Sequence, residues 1–298
     1  MLQIPWRFNL VLTLGVLGIY MAFYCGASLV GEHRFALFTA LGGVFVMATP
    51  TLWGLVHEGI HGRLMPPGAN RLASRALCVL LGFSFDAVQF GHLMHHRYNG
   101  HEHDRPNRVK PGEPSWRSWS RHCIHLFGGH YVFTALVSAL AFTPVRLRKR
   151  VVRYALSSEQ SDVLAMQRAA LRWCSEPERI LRIRVDFTAG ALLTSIAFLH
   201  YAKSWPALLL GLYGRAFLYS TLDNLPHYGM GGRGNESAMN LSVHSWVSIV
   251  ILNHNLHRAH HERPHLPWRA LPAELTQAPT DGNYFVAALR QFSGPTRT

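Results

Sequence analysis

HLMHH at residues 92–96 and HRAHH at residues 257–261 repeat one pattern, three imidazoles at i, i+3 and i+4. On a helix this spacing sets nitrogen donors along one face, where a single metal ion reaches more than one of them. HEGIH adds His57 and His61, four residues apart. With 19 histidines in the chain, about one such pair is expected by chance, so the pair gains meaning only beside the two triples. Chance is a poor account of both triples. Eight imidazoles exceed the roughly four ligands of one tetrahedral zinc, and they bring no thiolate for a soft metal. Two borderline metals sharing them fit the count, and an all-nitrogen set with open positions suits iron that binds dioxygen.

Such donors need elements to carry them, and composition indicates which. Hydrophobic residues make up 49% of the chain and charged ones 15%, a balance shifted toward membrane proteins. The net charge of +13 would also fit a nucleic-acid binder, but the basic residues lie between long apolar runs without a recognition motif, so nucleic acid is not an expected partner. Cys25, Cys78, Cys123 and Cys174 form no C-x-x-C pair and no disulfide framework. Residues 9–30 and 35–56 are each long enough to cross a hydrocarbon core of about 30 Å, and GEHR between them makes a hairpin. The first run lacks a cationic leader and a small-residue cleavage site, so it is expected to be a retained helix.

Residues 185–202 and 205–222 form a second hairpin around Lys203. With these four crossings, 26 of the 29 lysines and arginines fall on one side, which the positive-inside rule makes the cytosol. Letting 124–142 cross as well would carry RLRKRVVR outside, so 124–142 and 72–90 are expected to be interfacial or re-entrant, with 274–298 a C-terminal tail. The expected fold is one all-α integral membrane domain: four transmembrane helices in two hairpins, interfacial helices, and a cytosolic histidine-rich cap holding a di-metal site. All three histidine clusters fall in that cap, although lysine and arginine alone set the topology.

The chain resembles the membrane fatty acid desaturase and hydroxylase superfamily, whose pattern is H-x(3 or 4)-H, H-x-x-H-H and H-x-x-H-H in that order. The resemblance runs from about residue 50 to 272 and includes HEGIHG, GHLMHHRYNGHEHDRP, DNLPHYG and HNLHRAHHERPHLPWRALP. It implies two irons bound by His57, His61, His92, His95, His96, His257, His260 and His261, with His227 of DNLPHYG as the ninth ligand. Related enzymes place an asparagine four residues before that last histidine; here Asp223 has the offset and Asn224 follows it. HYG and the HE opening also resemble alkane hydroxylases. The implied reaction is O2-dependent desaturation of an unactivated lipid or acyl chain, with hydroxylation or ketolation of an alkane or carotenoid as the alternative.

No haem-binding or ferredoxin segment is evident, so electrons are expected from a separate ferredoxin or rubredoxin with its reductase, drawn to the basic face. The expected location is the bacterial inner membrane, with the site toward the cytoplasm. His101, His103 and His254 flank the boxes and are candidates to orient the ligands. Arg215, mid-span, is a candidate contact for a substrate head group or for Asp223. His122, His125 and His130 are expected at the interface. Two rivals remain: a zinc protease, since HEGIH also reads H-E-x-x-H with Glu58 as base, and a metal transporter. The first leaves both triples idle, and the second needs ligands along the membrane path.

Overall fold

The computed structural model describes residues 3–26, 35–101, 104, 107–110, 112–158, 160–232, 234–277 and 280–297. The expected turn at 31–34, the end of the first apolar run at 27–30, and His103 lie outside them. The described chain is helical: α1 (Trp6–Tyr24), α2 (Phe35–Met47), α3 (Thr49–Ile60), α4 (Pro67–Leu81), α5 (Phe85–Tyr98), α6 (Ser115–Ile124), α7 (His130–Ala139), α8 (Val145–Ala155), α9 (Ser161–Trp173), α10 (Pro177–Tyr201), α11 (Trp205–Asn224), α12 (Ser245–Val250), α13 (His257–Glu262) and α14 (Tyr284–Arg290). Its only named strands, β1 (Leu241–Ser242) and β2 (Gly282–Asn283), form a two-residue parallel pair.

Helices α2 and α3 are one apolar stretch, Ala36–Ile60, long enough to cross a membrane. Pro50, in the first turn of α3, has no backbone N–H to donate, which accounts for the break at Ala48. Helix α1 runs antiparallel to it. Asn9 donates to the Leu64 carbonyl at 2.8 Å near one end, Tyr20 meets Thr49 at 3.3 Å midway, and Phe23 stacks on Phe45 at 4.1 Å toward the other. Inside a bilayer the lipid is as apolar as the side chains, so close packing of this kind, and not transfer from water, holds the helices together.

The stretch Pro177–His227 is equally apolar but reverses direction. Ala202 sits at φ 44°, and both Tyr201 before the turn and Gly211 after it abut Phe23. Further from the turn, Gly190 approaches Val79 and Arg215 donates to the Leu80 carbonyl at 2.8 Å. Helices α10 and α11 are therefore an antiparallel hairpin.

Between the hairpins, α4 and α5 meet at 97°. Gly82, left-handed at φ 75°, ends α4, with its own N–H bonded to Val79 and the Phe83 N–H bonded to Cys78. That end lies level with Arg215, ten residues or about 15 Å from the hairpin turn, so backbone carbonyls finish deep in the protein where water is absent. Three side chains from other helices satisfy them: Tyr24 and Arg215 bond Leu80 O, and Tyr131 bonds Leu81 O. Arg215 also bonds the Tyr24 and Tyr131 hydroxyls and lies over the Phe45 ring. The arginine in mid-span thus caps a dipping helix at the end where a cation is favoured. It makes no contact with Asp223, which instead pairs with His130 at 3.0 Å.

Ser115–Phe142 is apolar enough to cross by composition. Helix α7, however, starts against Ser220 and Asp223 of α11 and ends where Arg184 of α10 donates to Ala141 at 2.9 Å. Those levels are each roughly 22 to 25 Å from the hairpin turn, so α7 lies across the hairpin instead of along it. The segment expected as a tail is built into the body: Gln291 accepts from His122 at 2.8 Å and from Asn224 at 2.6 Å, and Thr296 bridges Arg108.

Candidate metal centre

The histidines meet at the end of the bundle shared by the C-termini of α3 and α11. Helix α3 delivers His57 and its C-cap His61, α5 brings His92, His95 and His96, the short turn after α11 holds His227, and α13 carries His257, His260 and His261. Two groups of nitrogens result. His57, His61, His92, His96 and His260 offer five atoms that all lie within 4.8 Å of one another, and His95, His227, His257 and His261 offer four under the same limit. All nine histidines singled out by spacing and resemblance fall in these groups, each exactly once.

The distances suit metal ligation. His61 and His92 approach at 3.0 Å between Nε2 atoms, His92 and His96 at 2.9 Å, His96 and His260 at 3.0 Å, and His95 and His227 at 3.1 Å. Two nitrogens bound at right angles about 2.1 Å from one ion stand about 3.0 Å apart. Buried polar atoms without partners point the same way: among the described residues His57 Nε2 and His257 Nδ1 have no hydrogen bond. Burial, helped by Arg63, holds the His61 imidazole down to about 4, burial pulls His254 to about 4 despite Asp223, and burial lowers His257 and His260 further. At neutral pH these rings are uncharged, as ligation requires. Five nitrogens in one group exceed a tetrahedral shell, so the donor set fits a larger coordination number better than structural zinc.

Tautomers are fixed from outside. The Asp104 carboxylate accepts His95 Nδ1–H at 2.9 Å, and the Ser237 carbonyl accepts His227 Nδ1–H at 2.8 Å, so each Nε2 keeps its lone pair toward the cluster. Asp104 lies within GHEHDRP, yet nothing in the spacing distinguished it from a loop carboxylate. His101 is buried but contacts Gln160 at 3.2 Å. The His254 ring lies 4.5 Å from His257 and outside both groups. Asn224 donates to Gln291, and Asp223 binds His130. Glu58 accepts the Trp268 N–H at 3.1 Å, which ties the last box to α3.

Beside the clusters is a cavity of about 770 Å³. His92, His95, His227, His254 and His257 share its wall with Trp53, Ala87, Val88, Ile124, Phe133 and Val137. His125 and His130 line it too. They stand on either side of a kink at which Phe127 (φ −87°, ψ 35°) and Gly128 (φ 105°) leave helical geometry, so the segment from α6 to α7 is not one regular helix.

The architecture and the two nitrogen clusters define an all-α integral membrane protein with a histidine-rich site able to hold metal. The fatty acid desaturase family model matches residues 34–277, and the chain belongs to that family. Comparison with curated proteins finds no match.

Proposed function

We propose that this protein is an oxygen-dependent di-iron desaturase of lipid alkyl chains, acting at the cytoplasmic face of a bacterial inner membrane. The observation that carries the reading is the division of nine histidines into a five-nitrogen and a four-nitrogen group beside a largely apolar cavity. One iron is assigned to each group. Irons bound there supply dioxygen activation and the oxidising power that removes two hydrogens from adjacent carbons, while two electrons and two protons from outside complete the reduction of O2 to two waters.

The protein's own part is positional. Asp104 and Ser237 aim His95 and His227, the buried rings stay neutral, and the apolar wall takes an alkyl chain and excludes water. The cavity volume is within the ordinary range for a small-molecule site. The site end of each hairpin carries the cationic loops, which supports a cytoplasmic orientation and an acidic ferredoxin or rubredoxin as donor. The protease reading loses its base, because Glu58 is engaged by a backbone amide and both triples join the clusters. The transporter reading loses its path, since the ligands gather at one end.

Metal content per chain tests this on protein purified in mild detergent from iron-supplemented cells. About two irons are expected, with a sharp loss in His260→Ala and in His227→Ala. A single zinc indifferent to His260 would overturn the assignment. Lipid extracts from expressing cells then decide the reaction: new double bonds are expected, and alcohols without alkenes would make it a hydroxylase.

A further inference from the structure

Helix α8, Val145–Ala155, is not used by the site, and its sequence VRLRKRVVRYA is strongly amphipathic. Arg148 points inward, 9% exposed, and donates to the Cys174 carbonyl at 3.0 Å and to the Ala141 and Thr143 carbonyls. That anchor fixes the rotation of the helix. At 100° per residue, Arg146, Lys149, Arg150 and Arg153 then fall together on one arc, and Leu147 and Tyr154 form the neighbouring stripe. Among the described residues none of the four cations has a salt bridge within 4.0 Å.

Depth matters as much as pattern. The helix follows Phe142 and Pro144, and Ala141 is bonded to Arg184 on α10. Arg184 is 17 residues from the hairpin turn, so α8 begins about 25 Å from the far membrane surface, close to the near interface of a core about 30 Å thick. On the helix Leu147 is 43% exposed and Tyr154 86%, and Phe142, three residues before it, is 51% exposed. Exposed apolar side chains next to a row of unpaired cations are what an interfacial helix needs, with one stripe in the acyl boundary and the other among head groups.

We propose that α8 is a binding site for anionic phospholipid, its four outward cations receiving lipid phosphates while Leu147 and Tyr154 insert at the acyl boundary. An acidic electron-donor protein would use the cations but leave the apolar stripe in water, which is why lipid is the assigned occupant. This inference does not depend on the di-iron reading.

Hydrogen exchange of the α8 amides tests it on the full chain in nanodiscs of phosphatidylcholine, with or without one third phosphatidylglycerol. Exchange about tenfold slower in the anionic discs, reversed by high salt, is the expected result. The Arg146→Gln/Lys149→Gln/Arg150→Gln/Arg153→Gln variant should exchange at the phosphatidylcholine rate in both. Equal wild-type rates in the two discs would overturn the proposal. So would protection that appears only when an acidic ferredoxin is added to phosphatidylcholine discs. The wild-type comparison stands whether or not the variant folds.

Discussion

At the scale of single residues, the groups that hold the ligands predict more than the ligands themselves. Asp104→Asn keeps the size of the side chain but replaces the anion facing His95 Nδ1. Metal affinity in a chelator competition should fall about 10- to 100-fold while the helical content is unchanged. Glu58→Ala should instead cost stability, about 1 to 3 kcal/mol for the Trp268 N–H left without its partner, with metal stoichiometry intact when read on the folded fraction. Melting in detergent beside iron content separates these two outcomes. The nine histidines were legible because their types and offsets are rare in combination. Asp104 was not, since a carboxylate nine residues after His95 identifies itself only when the loop folds back. His130 is expected at the interface because it stands at the start of an apolar run, and neither the kink before it nor its Asp223 partner can be seen in that run.

At the scale of elements, the dipping helix and the broken helix make separate predictions. Arg215→Met leaves the deep carbonyl of Leu80 short of a donor and the two tyrosine hydroxyls without their shared partner. A loss of roughly 2 to 4 kcal/mol is expected, read as a lower melting temperature without a change in metal per folded chain. Gly129→Ala acts elsewhere: an added Cβ would lie 2.3 Å from the Ile124 carbonyl oxygen, so the kink between α6 and α7 must rearrange. Turnover and substrate affinity should fall, with both metals retained, because no histidine of either cluster lies on that segment. Hydropathy located most helices but misjudged several ends. α10 begins at Pro177, eight residues before the apolar run, since Arg179 and Arg182 pair with Asp86 of α5, and Asp186 of α10 with Arg75 of α4, which carries the helix beyond the hydrocarbon. The expectation that 72–90 is interfacial or re-entrant leaves room for the bend between α4 and α5, yet the reason a mid-span arginine is tolerated requires knowing where α4 ends.

At the scale of the molecule, topology follows from the distribution of charge and is open to a direct check. Cys25 is exposed at the far end of α1, whereas Cys123 lies on α6 near the site end. In intact cells a membrane-impermeant thiol reagent should label Cys25 from outside and reach Cys123 only after permeabilisation; the reverse pattern would invert the proposed orientation. The order of the histidines along the chain has a different kind of consequence. His260 belongs to one nitrogen group, and His257 and His261 to the other. During synthesis, therefore, neither group is complete until residue 260 has left the ribosome, and the second only with residue 261, by which time all four membrane-spanning helices have already been made. His57, His61 and the α5 histidines must wait through that interval as incomplete chelates, each offering a few nitrogens to whichever ion is most abundant. Correct metal loading thus becomes a question of timing, decided by when the last turn of helix arrives.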